Sequence, residues 1–317
     1  MTQSRVKRFD RHVDGIVLLD KPQGMSSNAA LQAARAVFRA LKAGHAGSLD
    51  PLATGMLPIC FGQATKVCGY LLDSYKTYRV IMKLGQRTDS ADADGVVIEE
   101  QAVPELNAAQ IATAMQTFLG AQQQVPPMYS ALKHQGKRLY ELARKGETIE
   151  RAARDIVIEQ LTLLTHTPDS IELRVRCSKG TYVRSLVEDL AARLGTVAHV
   201  MLLRREQVDP FDAARMVTLA QLQSWSLPEL SALLQPADAA LSAMPSVCLS
   251  AGQQIDLFHG KPLSGFVGQM AGVYRAYGAS ETAIGRFLGL VRLDSQGELR
   301  AERLFTPNSA HSNGDSA

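Results

Sequence analysis

Residues 44–58 read GHAGSLDPLATGMLP, and this stretch decides how the rest of the chain is interpreted. It holds three glycines and two prolines in fifteen residues, which is too many chain-bending residues for one regular helix or strand. We therefore predict a structured loop. Within this loop, Pro51 restricts the backbone of Asp50 toward extended conformations and so fixes the direction in which the carboxylate leaves the chain.

The Asp50 carboxylate is the strongest candidate for chemistry in the sequence. His45 lies in the same loop and would supply a hydrogen-bond donor or a stacking ring. A simpler interpretation is that Asp50 only caps a turn by accepting a bond from a nearby backbone N–H, as aspartates before proline commonly do. The sequence contains no GxSxG, no GxGxxG after a strand and no GxxxxGK[ST], so serine hydrolase chemistry and a nucleotide cofactor are unsupported.

Regular elements are predicted on both sides of the loop. Residues 15–22, GIVLLDKP, form a short apolar strand, and a helix capped by Ser27 follows and ends at Gly44. Its apolar stripe comprises Ala30, Ala34, Val37, Phe38 and Leu41. Residues 76–85, KTYRVIMKLG, alternate and predict a half-buried strand with one face formed by Tyr78, Val80, Met82 and Leu84.

The second half of the chain continues to mix helices and strands. A helix capped by Asn107 ends at Gly120, a strand covers residues 171–177, and a helix from Tyr182 to Leu194 ends at Gly195. Strands that alternate in this way favour antiparallel pairing with one covered face. The predicted fold class is α+β, with a mixed, largely antiparallel sheet and flanking helices over residues 13–245.

The two ends of the chain differ from this main domain. Residues 1–12 read as a basic, solvated arm, and residues 309–317 lack apolar anchors and are predicted to be disordered. Residues 284–305 resemble two strands around a DSQG turn, so we predict a small C-terminal β domain over residues 246–308.

Composition limits the class of protein. The chain has 317 residues, a formal net charge of +3 and four cysteines, which are scattered without metal-ligand spacing. We therefore expect reduced thiols and no metal site. No apolar run approaches the roughly 18 to 20 residues of a membrane span, and the N-terminus lacks the apolar core of a secretion signal. A cytoplasmic protein is expected.

Four segments together resemble one known family. The loop at 44–58 resembles the catalytic motif of bacterial TruB-type pseudouridine synthases, and residues 15–27 (GIVLLDKPQGMSS), 76–95 (KTYRVIMKLGQRTDSADADG) and 177–191 (CSKGTYVRSLVEDLA) agree in order and spacing. The resemblance runs from about Asp14 to Leu203. It implies the pseudouridine synthase fold, action on tRNA and no cofactor, and the C-terminal β region looks like the family's PUA or PUA-like domain.

The resemblance also implies roles for individual residues. Asp50 would be the nucleophile that attacks the target uridine, at C6 of the base or at C1′ of the sugar, and sequence does not choose between these atoms. Tyr78 would stack on the flipped uracil and assist removal of the C5 proton, and Arg184 would pair with Asp50 and keep it charged. Further substrate-binding positions are His45, Tyr182, Leu203 and Lys21, of which Lys21 fits either a structural or an RNA-contacting role.

From the residues alone, simpler interpretations stay open. Tyr78 and Leu203 suit a core, and Arg184 suits an ordinary i,i+4 surface pair with Glu188. Tyr182 is more suggestive, because it stands at a helix start where free N–H groups attract phosphate.

A basic segment lies within residues 122–159 and resembles the RNA-gripping insertion of this family, often called the thumb. Rings at Tyr129, His134 and Tyr140 would stack on unpaired bases while the cations meet phosphates. The pattern alone also fits a solvated helix face. The candidate RNA-binding residues are Lys133, Lys137, Arg138, Arg144 and Lys145.

Two other functions remain as alternatives. A non-enzymatic RNA-binding or tRNA-folding protein would use the basic segment and the C-terminal domain alone. A carboxylate hydrolase built on His45 and Asp50 would need a metal set or a second acid that the sequence does not supply. The predicted reaction is isomerisation of uridine 55 in the T-loop of tRNA, with the T-loop and T-stem as the bound partner and a monomer as the default state.

Overall fold

A computed structural model of the chain describes residues 9–130, 132–134, 136–143, 146–147, 149–279 and 284–306. Its strands, in chain order, are β1 (Gly15–Lys21), β2 (Ala43–His45), β3 (Thr54–Phe61), β4 (Lys76–Leu84), β5 (Gln86–Thr88), β6 (Val97–Glu100), β7 (Gly120–Gln124), β8 (Lys133–His134), β9 (Lys137–Arg138), β10 (Arg154–Thr167), β11 (Ser170–Cys177), β12 (Ala198–Val208), β13 (Val217–Thr218), β14 (Ser246–Leu249), β15 (Gly272–Ala279), β16 (Ile284–Leu293) and β17 (Leu299–Leu304).

The helices flank these strands. In chain order they are α1 (Ser27–Phe38), α2 (Cys68–Asp73), α3 (Ala108–Gln116), α4 (Leu139–Ala143), α5 (Val183–Arg193), α6 (Leu219–Ser224), α7 (Leu227–Ala232) and α8 (Ala251–Phe258). Short 3₁₀ turns lie at Gly62–Val67, Ala213–Arg215 and Ala237–Leu241. No helix in the described part of the chain is long and apolar enough to cross a membrane.

A nine-stranded sheet forms the centre of the molecule, in the order β13-β1-β3-β12-β4-β11-β10-β7, with β2 paired to β3. The pairs β1–β13 and β3–β12 are parallel and the other pairs are antiparallel. The predicted α+β class with a mixed, largely antiparallel sheet is therefore confirmed. β12 lies between β3 and β4, so β3, which begins within the 44–58 stretch, is separated from the predicted strand at 76–85 by one strand.

The alternating pattern of the β4 segment corresponds to burial against the helices. Val80 and Met82 are fully buried and Leu84 is 2% exposed, in a core shared with α3 and α5. The predicted cap is confirmed at α3, where Asn107 accepts from the backbone of Gln110, and α5 begins at Val183, next to the predicted start at Tyr182.

Two helix ends were predicted too late in the sequence. The cap of α1 is Ser26, one residue before the prediction, and the helix ends at Phe38, well before Gly44. Arg39 takes a left-handed conformation with φ of 54°, and the Arg35 guanidinium holds the departing chain by donating to the Ala40 and Leu41 carbonyls. Leu41 is consequently 42% exposed, not part of the buried stripe. Similarly, α3 ends at Gln116, four residues before Gly120.

A separate four-stranded sheet, β14-β15-β16-β17, begins at Ser246. β16 and β17 flank the predicted turn at residues 294–297. Leu290 and Phe305 from this sheet share a core with Ile16 and Leu71 of the main domain, which fixes one sheet against the other. The tail at 309–317 lies outside the described residues, as do residues 1–8 of the predicted arm.

Candidate functional site

The loop between β2 and β3 is hydrogen-bonded to the segment that joins β1 to α1. The Ser27 hydroxyl accepts from the Leu49 backbone N–H at 2.7 Å, and Gly24 N donates to the Pro51 carbonyl at 2.8 Å. Both bonds flank Asp50. The predicted structured loop thus has fixed points on either side of the candidate carboxylate, which preorganises its position.

Lys21 provides a third support for the loop. Its side chain is fully buried, and Nζ donates to the carbonyls of Pro22 at 2.8 Å, Met25 at 2.6 Å and Pro51 at 3.4 Å. Burial lowers the pKa of Lys21 to about 8. These contacts favour the structural one of the two roles expected for Lys21, because none of its donors faces solvent.

Arg184 reaches Asp50 from the first turn of α5. The Arg184 Nε lies 3.0 Å from Asp50 Oδ2, while Nη1 donates to the Ser90 carbonyl at 2.8 Å and Nη2 to the Tyr129 carbonyl at 2.6 Å. Arg184 is only 4% exposed. This burial rules out the alternative of an ordinary surface pair with Glu188.

The protonation of Asp50 reflects opposing influences. The pKa of its carboxyl group lies above the ordinary value because the surrounding protein displaces water from the charged form, and Asp92 and Asp94 add to this effect. Arg184 and, more weakly, Lys21 lower the same pKa. Arg184 therefore acts in the expected direction, although burial outweighs it.

Five of the predicted site residues meet at one cavity of about 260 Å³. Its wall includes five of the predicted site residues together with glycines and hydroxyl-bearing side chains of the 47–50 and 178–183 segments. A concave site that holds a carboxyl group with a perturbed pKa is a typical candidate for an active site. The predicted residues that line it are Asp50, Tyr78, Tyr182, Arg184 and Leu203.

Strand and helix positions explain how these side chains reach the cavity. Tyr78 is half-buried on β4 and packs against the same core as Leu203 of β12, which is 7% exposed. Both residues thus belong to the core and to the cavity wall at once. Tyr182 precedes α5, and the Gln124 side chain holds its backbone by bonding both its N–H and its carbonyl.

His45 lies at the end of β2, outside the residues that line the cavity. Its Nδ1 is buried and has no hydrogen-bond partner among the described residues. Burial, and then the neighbouring Arg205 charge, lower the pKa of His45. The neutral ring is therefore favoured at this position.

The basic segment is described only in part. Lys133 lies in β8, and Lys137 and Arg138 lie in β9, which together form a short antiparallel hairpin. Arg144 and Lys145 fall outside the described residues. In the part of the chain that the structure describes, no group of three or more potential ligands is placed to hold a metal ion.

Two cavity neighbours were missed by the sequence reasoning. Asp92 is 5% exposed, and its Oδ2 lies 3.8 Å from Arg184 Nη1 while its Oδ1 accepts from Ser90 Oγ at 2.5 Å. Arg205 is 1% exposed and also lines the cavity. The only available signal was an acidic run at 88–95 and the charged Arg-Arg-Glu run within β12, and neither specifies a contact.

Two family models match consecutive parts of the chain. Residues 35–183 match the TruB family pseudouridylate synthase (N terminal domain) model, and residues 184–242 match the tRNA pseudouridylate synthase B C-terminal domain model. The chain is 46% identical to tRNA pseudouridine synthase B of Shigella boydii, over 95% of this chain and 98% of that protein. It is 44% identical to the protein of the same name from Salmonella arizonae, over 97% and 100% of the two chains.

Solved structures share the fold. A Cbf5-Nop10-Gar1 complex contains a chain that matches with a TM-score of 0.72 at 23% identity, over 93% of this chain and 86% of that chain. The archaeal box H/ACA sRNP Nop10-Cbf5 complex gives a TM-score of 0.69 at 20% identity, over 95% and 90%. Because the matches to the curated relatives extend over nearly the whole length of both chains at 44 to 46% identity, the chain belongs to the TruB family of pseudouridylate synthases.

Proposed function

We propose that this protein is a tRNA pseudouridine synthase that converts uridine 55 of the T-loop, with Asp50 as the nucleophile. The observation that carries the proposal is the Asp50–Arg184 pair at 3.0 Å on the wall of a cavity that Tyr78 also lines. Relatives named tRNA pseudouridine synthase B, which cover nearly the whole chain, support both the reaction and the tRNA substrate.

The reaction requires a charged, positioned carboxylate and no change of redox state. Asp50 attacks the uridine at C6 or C1′, the glycosidic bond breaks, the uracil rotates, and C5 then bonds to the sugar. Arg184 holds the carboxylate at Oδ2 and favours its charged form. No metal or organic cofactor enters these steps.

The target base must leave the folded tRNA loop before it reaches Asp50. Extruding a stacked base loses a few kcal/mol of stacking. The Tyr78 ring on the cavity wall replaces that stacking, and Leu203 and Tyr182 enclose the base from other sides. Tyr78 also assists removal of the C5 proton. His45 supports the opened tRNA loop from outside the cavity.

Binding of the T-stem and T-loop is assigned to surfaces outside the cavity. We propose that residues 122–159 form the RNA-gripping insertion and that Lys133, Lys137, Arg138, Arg144 and Lys145 contact phosphates. The unit at 246–308 is proposed to be a PUA-like RNA-binding domain that accompanies the catalytic domain at 13–245. The proposed enzyme acts as a monomer in the cytoplasm.

The non-catalytic alternative is less well supported. An RNA-folding protein has no need for a carboxylate paired with a buried arginine inside a cavity, whereas an isomerase does. The hydrolase alternative is weaker still, because His45 lies outside the cavity wall on which Asp50 stands.

The proposal is tested by incubating the purified protein with an unmodified tRNA transcript, without added metal or nucleotide, and mapping pseudouridine at each position. We expect modification at position 55. The Asp50→Asn variant keeps the size of the side chain and removes its charge, so it should bind tRNA and form no pseudouridine. Pseudouridine formation by Asp50→Asn would refute the assigned nucleophile, and modification elsewhere would refute the assigned target.

A further inference from the structure

A second buried arginine, Arg205, lines the same cavity as Arg184. Arg205 lies on β12, where it pairs with Gly55 of β3 on one side and with Tyr78 of β4 on the other. Its side chain is among the largest that are fully buried in the protein. The arginine is thus held between the strand that follows the Asp50 loop and the strand that carries Tyr78.

The Arg205 guanidinium is bonded to the protein at defined atoms. Nε donates to the Met56 carbonyl at 2.7 Å, and Nη2 donates to the Gly47 carbonyl at 3.1 Å. Nη1 would lie 3.3 Å from a Cβ at position 47, and a Cβ at position 55 would lie 2.2 Å from the Arg205 carbonyl oxygen. Gly47 and Gly55, with φ of 93° and 99°, therefore allow the loop and β3 to close on this side chain.

The charge of Arg205 has no carboxylate partner among the described residues, in contrast to Arg184. The groups that sense its charge are basic or phenolic: Lys21 from β1, His45 from β2, and Lys76 and Tyr78 from β4. A buried charge without a counter-ion is unfavourable unless another group uses it. The group beside Arg205 that gains from a positive neighbour is the Tyr78 hydroxyl.

We propose that Arg205 is a positioning residue that orients the Tyr78 hydroxyl and stabilises its phenolate as the acceptor of the C5 proton. This inference rests on the proposed function and extends it to a residue outside the Asp50–Arg184 pair. After C5 has bonded to the sugar, the C5–H bond breaks. Its electron pair returns to the uracil ring, and the proton passes to the Tyr78 oxygen, giving the neutral phenol beside Arg205.

Arg205 acts on the pKa of Tyr78 in the direction that this role requires. The pKa of the Tyr78 phenol lies above its ordinary value, because burial, with Cys177 and Asp50, outweighs the charge of Arg205, which lowers it. Arg205 is thus the group that opposes the effect of burial. Without it, the phenolate would be less accessible near neutral pH.

The experiment measures single-turnover pseudouridine formation on bound tRNA as a function of pH. In Arg205→Lys we expect the rate near pH 7 to fall at least about tenfold, with the deficit shrinking as pH rises, because the Tyr78 phenol then ionises without help. Affinity for tRNA should stay unchanged. The matched control is Arg204→Lys, because Arg204 pairs with Asp20 on the other face of the sheet and should leave the rate unaltered.

The pKa values of Lys21 and Lys76 are lowered to about 8, so both lysines titrate within the pH range of this experiment. Their effect on the rate must be distinguished from that of Tyr78. Incorporating 3,5-difluorotyrosine at position 78 makes only the phenol more acidic. It should restore the lost rate of Arg205→Lys at neutral pH, and in the otherwise unaltered protein it should move the rate profile to lower pH. The second measurement applies even where an Arg205 variant does not fold.

Three results would overturn the inference: a pH-independent loss in Arg205→Lys, a loss of tRNA affinity alone, or no effect of the fluorinated tyrosine. The proposed function is judged separately by the unaltered protein. If that protein forms pseudouridine and the Arg205 and fluorotyrosine tests fail, only the role of Arg205 is wrong.

Discussion

The two walls of the cavity each present a buried arginine, and they use it differently. Arg184 on the α5 side faces the carboxylates of Asp50 and Asp92. Arg205 on the β12 side donates to carbonyls and lies beside a tyrosine hydroxyl. In the proposed mechanism, one arginine therefore supports the nucleophile and the other supports the proton acceptor, because the neighbouring groups decide what a buried charge stabilises.

A surface ion pair shows how much less an exposed arginine contributes than a buried one. Arg174 and Glu206 on the sheet pair at 2.8 Å, but the arginine side chain is 52% exposed. Water competes for such a pair, so its contribution is about 0 to 1 kcal/mol. Arg184 has the same kind of partner at a similar distance, yet its burial makes its geometry and charge far more consequential for the site.

The largest expected effect is a difference in salt dependence between the RNA-binding surface and the cavity. Affinity for tRNA should fall steeply with salt, roughly a thousandfold between about 50 and 200 mM if six or more phosphates are contacted. Turnover of bound tRNA should change much less, since the cavity arginines are bonded within the protein. Binding titrations and single-turnover rates over the same salt series measure the two quantities.

Paired variants sharpen this prediction. Replacing both Lys133 and Lys137 by glutamine should reduce the slope of log affinity against log salt by about two, whereas Arg184→Lys should leave the slope unaltered. Affinity that does not depend on salt would contradict the assignment of binding to a basic surface.

The next effect tests the carboxylate wall. Arg184→Lys keeps a positive charge but loses the planar group that bonds Asp50, Ser90 and Tyr129 together. We expect the single-turnover rate to fall about a hundredfold, with tRNA affinity nearly unaltered. A rate within a few-fold of the unaltered protein would mean that charge alone suffices on this wall.

A smaller effect is expected from Asp92→Asn. The plateau rate should fall about tenfold because Arg184 loses a fixed partner. Activity requires the Asp50 carboxylate, whose pKa is raised, so the rate falls as pH decreases through that value. Removing the Asp92 charge lowers the pKa of Asp50, and the acidic limb of the rate profile should therefore move to lower pH.

Asp94→Asn is the matched control for this variant. Asp94 also raises the pKa of Asp50, but it is exposed and forms no ion pair with Arg184 in the described structure. It should shift the limb slightly in the same direction and leave the plateau unaltered. A shift of the acidic limb to higher pH in either variant would contradict the electrostatic account of Asp50.

The smallest effect on activity, together with a clear effect on stability, is expected from replacing Lys21, which supports the Asp50 loop. Lys21→Met leaves the carbonyls of Pro22, Met25 and Pro51 without their donor, which should lower the free energy of unfolding by about 2 to 3 kcal/mol. Lys261→Met is the control, because Lys261 pairs with Asp256 at an exposed position and should change stability by less than about 0.5 kcal/mol. Denaturant unfolding of both variants measures the difference. Equal stabilities would show that the ammonium does not support the loop.

Much of the architecture followed from local patterns. Alternation at 76–84 identified β4 and its buried face, Asn107 marked the start of α3, and an apolar stripe predicted α5, because cap chemistry and side-chain periodicity act over a few residues. Helix ends were less well predicted. The end of α1 depends on the Arg35 side chain folding back onto the chain that follows the helix, and composition carries no sign of this contact.

By itself, the sequence determined the fold class, the family resemblance and the rigid presentation of Asp50, since proline and glycine act on their own backbone. Only the tertiary structure decided which charges meet. Arg184, Asp92 and Arg205 come from three distant segments, and their order along the chain does not indicate that Arg184 pairs with Asp92 while Arg205 reaches the same cavity from β12. Pairing of β12 between β3 and β4 produces that arrangement, because strand register is set by packing over the whole sheet.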